Sequence, residues 1–237
     1  MKKITALLAT VVASSSFSSA DELSISSTFA WESDYVFRGF QLAEEYFAPS
    51  VDLSYGGFYA GIWAALPVDA QFGNEVDFYA GYGFGLSETV SADFGFTYYT
   101  YPDASDDFFD SDVNTFEIYA GLSFDMPFSP AVYVFYDFDA FDGALTIEAS
   151  GGHSVEVSEE ATVDFTVFIG YFDASDIYLG TNVDSHMYYG ASAGYSYAFT
   201  DNASWSIGLN WYGSSEDSMA GGDDNTFSIS TSFSAGF

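Results

Sequence analysis

The sequence predicts an all-β protein: an antiparallel up-and-down transmembrane β-barrel of about twelve strands, preceded by a signal peptide. Three observations predict it. Apolar and polar residues alternate with a period of two along most of the chain. The connections between alternating stretches are short and long in turn, as when tight turns lie at one rim and long loops at the other. The last stretch alternates up to Phe237, an aromatic residue that closes the final strand.

Residues 1–20 have the form of a secretory signal peptide. Lys2 and Lys3 precede an apolar stretch over 4–13, and Ser18-Ser19-Ala20 offers small residues before a cut. Residues 21–237 then read as a single barrel domain. Twelve segments follow, near 23–38, 48–55, 58–66, 75–85, 91–101, 115–124, 131–138, 144–157, 162–172, 187–199, 203–212 and 226–237. In the first, Leu23, Ile25, Phe29, Trp31, Tyr35 and Phe37 share one parity, while Glu32, Asp34 and Arg38 share the other. The fourth opposes Val76, Phe78, Ala80, Tyr82 and Phe84 to Asp77, Tyr79, Gly81 and Gly83. The sixth, ninth, eleventh and twelfth repeat the arrangement. In the eighth, Gly151-Gly152 suggest a bulge. The short connections are 56–57, 87–89, 125–130, 158–160 and 200–202; longer or more acidic ones, 39–47, 67–74, 102–114, 139–143, 173–186 and 213–225, fall between them. Tyr-Ala-Gly recurs at 59–61, 79–81 and 119–121, which convergent composition on one architecture would explain.

Composition limits the function. The chain has 35 Asp and Glu against three basic residues, and loss of the signal would leave Arg38 as its sole basic side chain. Nothing could neutralise nucleic-acid phosphates. Divalent cations are the better match. The absence of Cys excludes disulfide and thiolate chemistry. Disorder is excluded by 49% hydrophobic and 21% aromatic residues. A soluble β-sandwich would also alternate. The barrel is favoured by aromatics near strand ends, such as Tyr55, Tyr98, Tyr195 and Trp211, and by Gly, Ser and Thr on the polar faces, suited to a wet lumen.

The stretch Trp31-Glu32-Ser33-Asp34-Tyr35-Val36-Phe37-Arg38-Gly39 is followed by Pro49, then Gly57-Phe58-Tyr59-Ala60-Gly61-Ile62-Trp63 and Glu75-Val76-Asp77-Phe78-Tyr79-Ala80-Gly81-Tyr82. Over 31–82 this resembles the proteobacterial outer-membrane proteins known as TorF-family porins. The resemblance implies export to the bacterial outer membrane, a barrel and a pore, without a catalytic site or a defined substrate.

By parity, Glu32, Asp34, Asp52, Glu75, Asp77, Asp93, Glu117, Asp137 and Asp164 face the lumen with Arg38, where acidic side chains would favour cations. Tyr79, Tyr99, Tyr119 and Tyr133 share that parity and would obstruct a pore. For Arg38 the simplest expectation is a salt bridge with nearby carboxylates that fixes the first strand or the loop after it. A charge feature at a constriction, or an outward turn against lipopolysaccharide phosphate, are the other readings. Asp103, Asp106, Asp107, Asp110, Asp173 and Asp176 mark external loops that could bind Ca2+ or Mg2+ weakly. The expected function is a narrow, cation-preferring porin for small solutes; the alternative is a non-conducting structural or adhesive barrel with divalent cations on its loops. Expected partners are outer-membrane lipid and lipopolysaccharide, the barrel-assembly machinery through the C-terminal strand and Phe237, and small solutes or cations, with no nucleic acid. His153 and His186 are the only histidines, no nucleophile–base set is visible, and neither enzymatic activity nor a tightly bound cofactor is expected.

Overall fold

In the computed structural model, which describes residues 22–68, 73–173, 185–216 and 223–237, twelve antiparallel strands close into a barrel. They are β1 (Ser24–Glu32), β4 (Tyr46–Tyr55), β5 (Phe58–Pro67), β6 (Glu75–Gly85), β7 (Val90–Thr100), β8 (Thr115–Phe124), β9 (Ala131–Asp137), β10 (Leu145–Glu156), β11 (Ala161–Asp173), β12 (Ser185–Thr200), β13 (Ala203–Ser214) and β14 (Asn225–Gly236). Each pairs with its sequence neighbours, and β1 closes the ring by pairing with both β4 and β14. Closure rules out the sandwich and leaves no open sheet edge. No described helix is long and apolar enough to cross a membrane.

The alternation has its physical cause in this closure. β9 runs buried-exposed without a break: Ala131, Tyr133, Phe135 and Asp137 face in, and Val132, Val134 and Tyr136 face out. Phe94, Ile118, Phe165, Val167, Ile169, Leu209 and Ile229 are among the exposed apolar residues. Such an outer face suits lipid, not water. The inner face divides. Over β5–β10 it carries tyrosines and carboxylates. Over β13 and β14 it carries Ser204, Ser206, Asn210, Ser228 and Ser230, all buried.

The Tyr-Ala-Gly repeats set strand register. On β5 and β6, Tyr59 lies opposite Gly81, Ala60 opposite Ala80, and Gly61 opposite Tyr79. Each tyrosine ring covers the glycine facing it, where an added Cβ would collide with the ring. Tyr119 covers Gly95, Tyr133 covers Gly121 and Tyr188 covers Gly170 in the same way. This is aromatic cover of strand glycines. It also means that Tyr79, Tyr119 and Tyr133 lie along the wall.

Two expectations are corrected here. The first segment does not run to residue 38. β1 ends at Glu32, and the chain turns into the barrel as a hairpin of β2 (Tyr35–Phe37) and β3 (Phe40–Ala43) before β4 begins. Tyr35 is therefore a buried lumen residue, although it shares the parity of the apolar side chains of β1. The second concerns Gly151-Gly152. The β10–β11 register passes through both glycines without a shift. Within the barrel sheet the register shift falls instead between β12 and β13, at Ala198/Thr200, and the β2–β3 hairpin has one at Tyr35/Val36.

The lumen hairpin as candidate functional site

The hairpin turns on Arg38 and Gly39, both with positive φ (48° and 85°), between the paired Phe37 and Phe40. Two left-handed residues in a two-residue loop mark a type I′ turn, whose twist suits a tight hairpin. Gly39 also permits close approach. A Cβ there would lie 2.8 Å from Tyr188 Cβ and 3.0 Å from His186 Nε2. At the base, Asp34 accepts hydrogen bonds from Ser33 Oγ (2.7 Å) and Gln41 Nε2 (2.6 Å), joining the two arms.

The tip reaches the far wall. Starting from β1, the strand β9 is the sixth in either direction round the ring, and Arg38 lies against β8 and β9. Its Nη1 and Nη2 donate to Glu117 Oε2 (2.5 Å) and Oε1 (2.9 Å), a two-pronged contact that matches the planar guanidinium. Its Cζ sits 4.6 Å from the ring centroid of Phe37 and 4.7 Å from that of Phe135, a cation–π sandwich. Tyr99 Oη donates to Glu117 Oε1 (3.0 Å). On β12, His186 Nε2 lies 2.7 Å from the Arg38 carbonyl oxygen, so Nε2 carries the proton that it donates. The hairpin is thus a crossbar held at its base, its tip and one side.

Carboxylates surround the crossbar. Tyr35 Oη donates to Glu75 (3.0 Å), Thr115 Oγ1 to Asp137 (2.7 Å) and Tyr188 Oη to Glu148 (2.8 Å). A second tier lies nearer the short-turn rim. There Asp93 accepts from Tyr59 (2.9 and 3.1 Å) and Tyr133 (3.2 Å), Tyr59 and Tyr119 hydroxyls meet at 2.5 Å, and Tyr79 hydrogen-bonds Asp52. Between the crossbar and these walls lies a cavity of about 70 Å³, bordered by Arg38, Asp77, Asp93, Glu117 and Glu148.

The predicted site residues therefore separate. Arg38, Asp77, Asp93 and Glu117 meet around this cavity. Arg38 pairs with Glu117 of β8, not with Glu32 or Asp34, because the reversal at Glu32 ends the parity that links them in sequence. Its burial inside the barrel also excludes the outward contact with lipopolysaccharide. Glu32 is buried at the end of β1, opposite Tyr46. Asp52 belongs to the second tier. Asp164 is remote from the crossbar, near the β10–β11 turn, where it accepts from Ser154 (2.5 Å) and Thr162 (3.3 Å). Sequence reading misses Glu148, Phe135, Tyr188 and His186 as members of the site. The available signal is Arg38-Gly39 itself, a turn dipeptide within an apparently continuous strand.

The loop carboxylates serve other partners. Asp103 accepts from Asn74 N (2.8 Å), Asp107 from Phe109 N (3.0 Å), Asp110 from Ser105 Oγ (2.7 Å) and Asp173 from Ser185 Oγ (2.9 Å). Asp106 is in the same loop as Asp107, and Asp176 lies outside the described residues. Among the described residues no group of three or more His, Cys, Asp or Glu is arranged to hold a metal ion. Loop 101–114 instead packs Phe108 on Phe78 and Tyr98 (centroids 5.4 Å apart in both pairs). His153, on β10, packs near Phe128, while the neighbouring Ser154 bonds directly to Asp164. Phe237 is exposed, and its N–H donates to Ile25 O (2.8 Å) across the closing seam.

Solved structures share the fold. The NanC porin is 13% identical with a TM-score of 0.54, covering 90% of this chain and 98% of its own. The translocator domain of the autotransporter NalP from Neisseria meningitidis is 11% identical with a TM-score of 0.48, covering 91% and 88%. At 13% identity the likeness to the NanC porin shows a common barrel fold and nothing finer. No curated protein matches the sequence. No specific match to TorF-family porins was found; the chain is an outer-membrane barrel related to porin and channel folds. The sequence model of one family matches residues 17–233, and the chain belongs to that family, described as "Bacterial protein of unknown function (Gcw_chp)".

Proposed function

We propose that the protein is a narrow, cation-preferring outer-membrane channel for small solutes, with the 35–43 hairpin as its constriction. The observation that carries this reading is the acidic make-up of the inner wall. Glu32, Glu75, Asp77, Asp93, Glu117, Asp137 and Glu148 are buried within the barrel, and one cation, Arg38, stands among them. Acidic side chains lining a pore favour cations and repel anions. TorF-like porin character, contact with lipopolysaccharide and assembly through the Phe237 strand belong to the same proposal.

A second reading has its own support. The crossbar spans the lumen from the end of β1 to β8 and β9, where its tip is fixed to Glu117. That favours a non-conducting structural or adhesive barrel, with weak Ca2+ or Mg2+ binding on its acidic loops. Single-channel recording of the refolded protein in a planar bilayer under a KCl gradient separates the two. Discrete steps with a cation-selective reversal potential support the channel. A correctly inserted barrel without current overturns it in favour of the second reading.

A further inference from the structure

The loop between β7 and β8 folds back over the outer wall of the barrel at the long-loop rim. The ring of Phe108 lies 5.4 Å, centroid to centroid, from both Phe78 and Tyr98. Strand parity turns those two outward, since their neighbours Asp77, Thr97 and Tyr99 are the buried, inward-facing residues. Hydrogen bonds build the loop in this position. The Phe108 carbonyl accepts from Tyr98 Oη (2.7 Å) and from Asn114 Nδ2 (3.0 Å). Asn114 is itself buried and accepts from Tyr101 N (3.0 Å) through Oδ1. Asp107 accepts the Phe109 N–H (3.0 Å). The loop thus holds two consecutive aromatic rings outward, with Phe108 45% and Phe109 78% exposed. Exposing such a pair to water is unfavourable, and a loop built to hold it out implies an apolar partner.

We propose that loop 101–114 is a membrane clip, whose Phe108 and Phe109 seat among the acyl chains of the outer leaflet beside β6–β8 and hold the loop against the side of the barrel. The occupant is lipid because the patch is continuous with the lipid-facing wall. Phe109 lies 6.5 Å from Tyr98, Tyr98 lies 6.4 Å from Phe116, and Phe116 stacks 5.3 Å from the exposed Phe96. Aromatic rings suit the boundary between acyl chains and headgroups. The exposed Asp103, Asp106 and Asp112 keep the rest of the loop on the aqueous side, so the rings seat at shallow depth. The inference is independent of whether the lumen conducts.

The chain has no cysteine, so one introduced thiol takes a nitroxide label at a single position. Phe109→Cys, Asp106→Cys and Leu209→Cys, the last on the outer wall of β13, are labelled and reconstituted in phosphatidylcholine vesicles. Electron paramagnetic resonance then compares collisions with oxygen, which concentrates in lipid, and with a water-soluble nickel chelate. Oxygen is expected to dominate at position 109, less strongly than at 209, and the nickel chelate at 106. Asn114→Ala added to Phe109→Cys removes the hydrogen bonds that shape the loop and is expected to shift the 109 label toward water. That variant separates seating by the loop from the label's own affinity for lipid. Dominance of the nickel chelate at 109 overturns the inference, as does a lipid-like signal that Asn114→Ala leaves unchanged. Dipolar broadening between 109 labels, the mark of a second copy of this chain on the patch, overturns it as well.

Discussion

Arg38 is the residue on which the interior is organised. Its side chain is 9% exposed and that of Glu117 is 1%, so the pair is nearly dry. Removing one partner of a buried pair strands the other charge, at a cost of about 3–5 kcal/mol. That cost falls on the hairpin, because the barrel ladders do not pass through Arg38. Arg38→Ala is therefore expected to keep the heat-modifiable gel shift of a folded barrel while exposing residues 33–45 to chymotrypsin from the long-loop rim. Arg38→Lys is expected to restore protection only in part, since an ammonium lacks the planar fork and stacks less well on Phe37 and Phe135. Full protection in the alanine variant would show that the tip contacts do not hold the hairpin. At the next residue, Gly39→Ala would force a side chain into the left-handed region and against Tyr188 and His186. The expected result is the same protease-sensitive hairpin, with a destabilisation on the order of 1–3 kcal/mol by chemical denaturation.

At the scale of elements, two kinds of pairing have different legibility. The barrel strands are readable because each has lipid on one face and the lumen on the other, so alternation persists along their length, as in β9. The hairpin is not, for a related reason. Both faces of β2 lie inside the barrel, and Tyr35 and Phe37 happen to continue the apolar parity of β1. Alternation alone cannot distinguish a strand that continues from one that reverses. The carboxylate partners of Arg38 are hidden likewise: Glu117 is 79 residues away, and only ring closure brings β8 across from β1. The tyrosine–glycine pairs are legible as a repeat, although their meaning depends on register. This predicts that Gly81→Ala disturbs more than β6. The added Cβ would meet the ring of Tyr59 and lie 2.9 Å from Phe94 O, displacing Tyr59 from Asp93. A loss of about 1–3 kcal/mol in unfolding stability is expected. Ala80→Gly, at the Ala60 pair between the two tyrosine–glycine contacts, should leave the Tyr59–Asp93 contact intact. Equal stability of Gly81→Ala and the unsubstituted protein would refute the role of ring cover in setting register.

For the whole molecule, the arrangement is a lipid-compatible outer surface around an acidic interior, crossed by a strap that carries one positive charge. The outer apolar face explains how so acidic a chain can reside in a membrane: carboxylates occupy the lumen and the loops, while Phe, Val, Ile and Leu face out. The interior explains why a single cation is retained, since it fastens the strap to the far wall. The proposed channel needs an ion path past the strap, and release of the strap widens that path. The most direct measurement is the reversal potential and single-channel conductance of the refolded protein in a planar bilayer under a KCl gradient, alongside Arg38→Ala. The account predicts small, cation-selective steps for the unsubstituted protein and larger steps of the same selectivity for the variant, whose strap is released. Inserted barrels that carry no current in either form, or currents selective for anions, would contradict it.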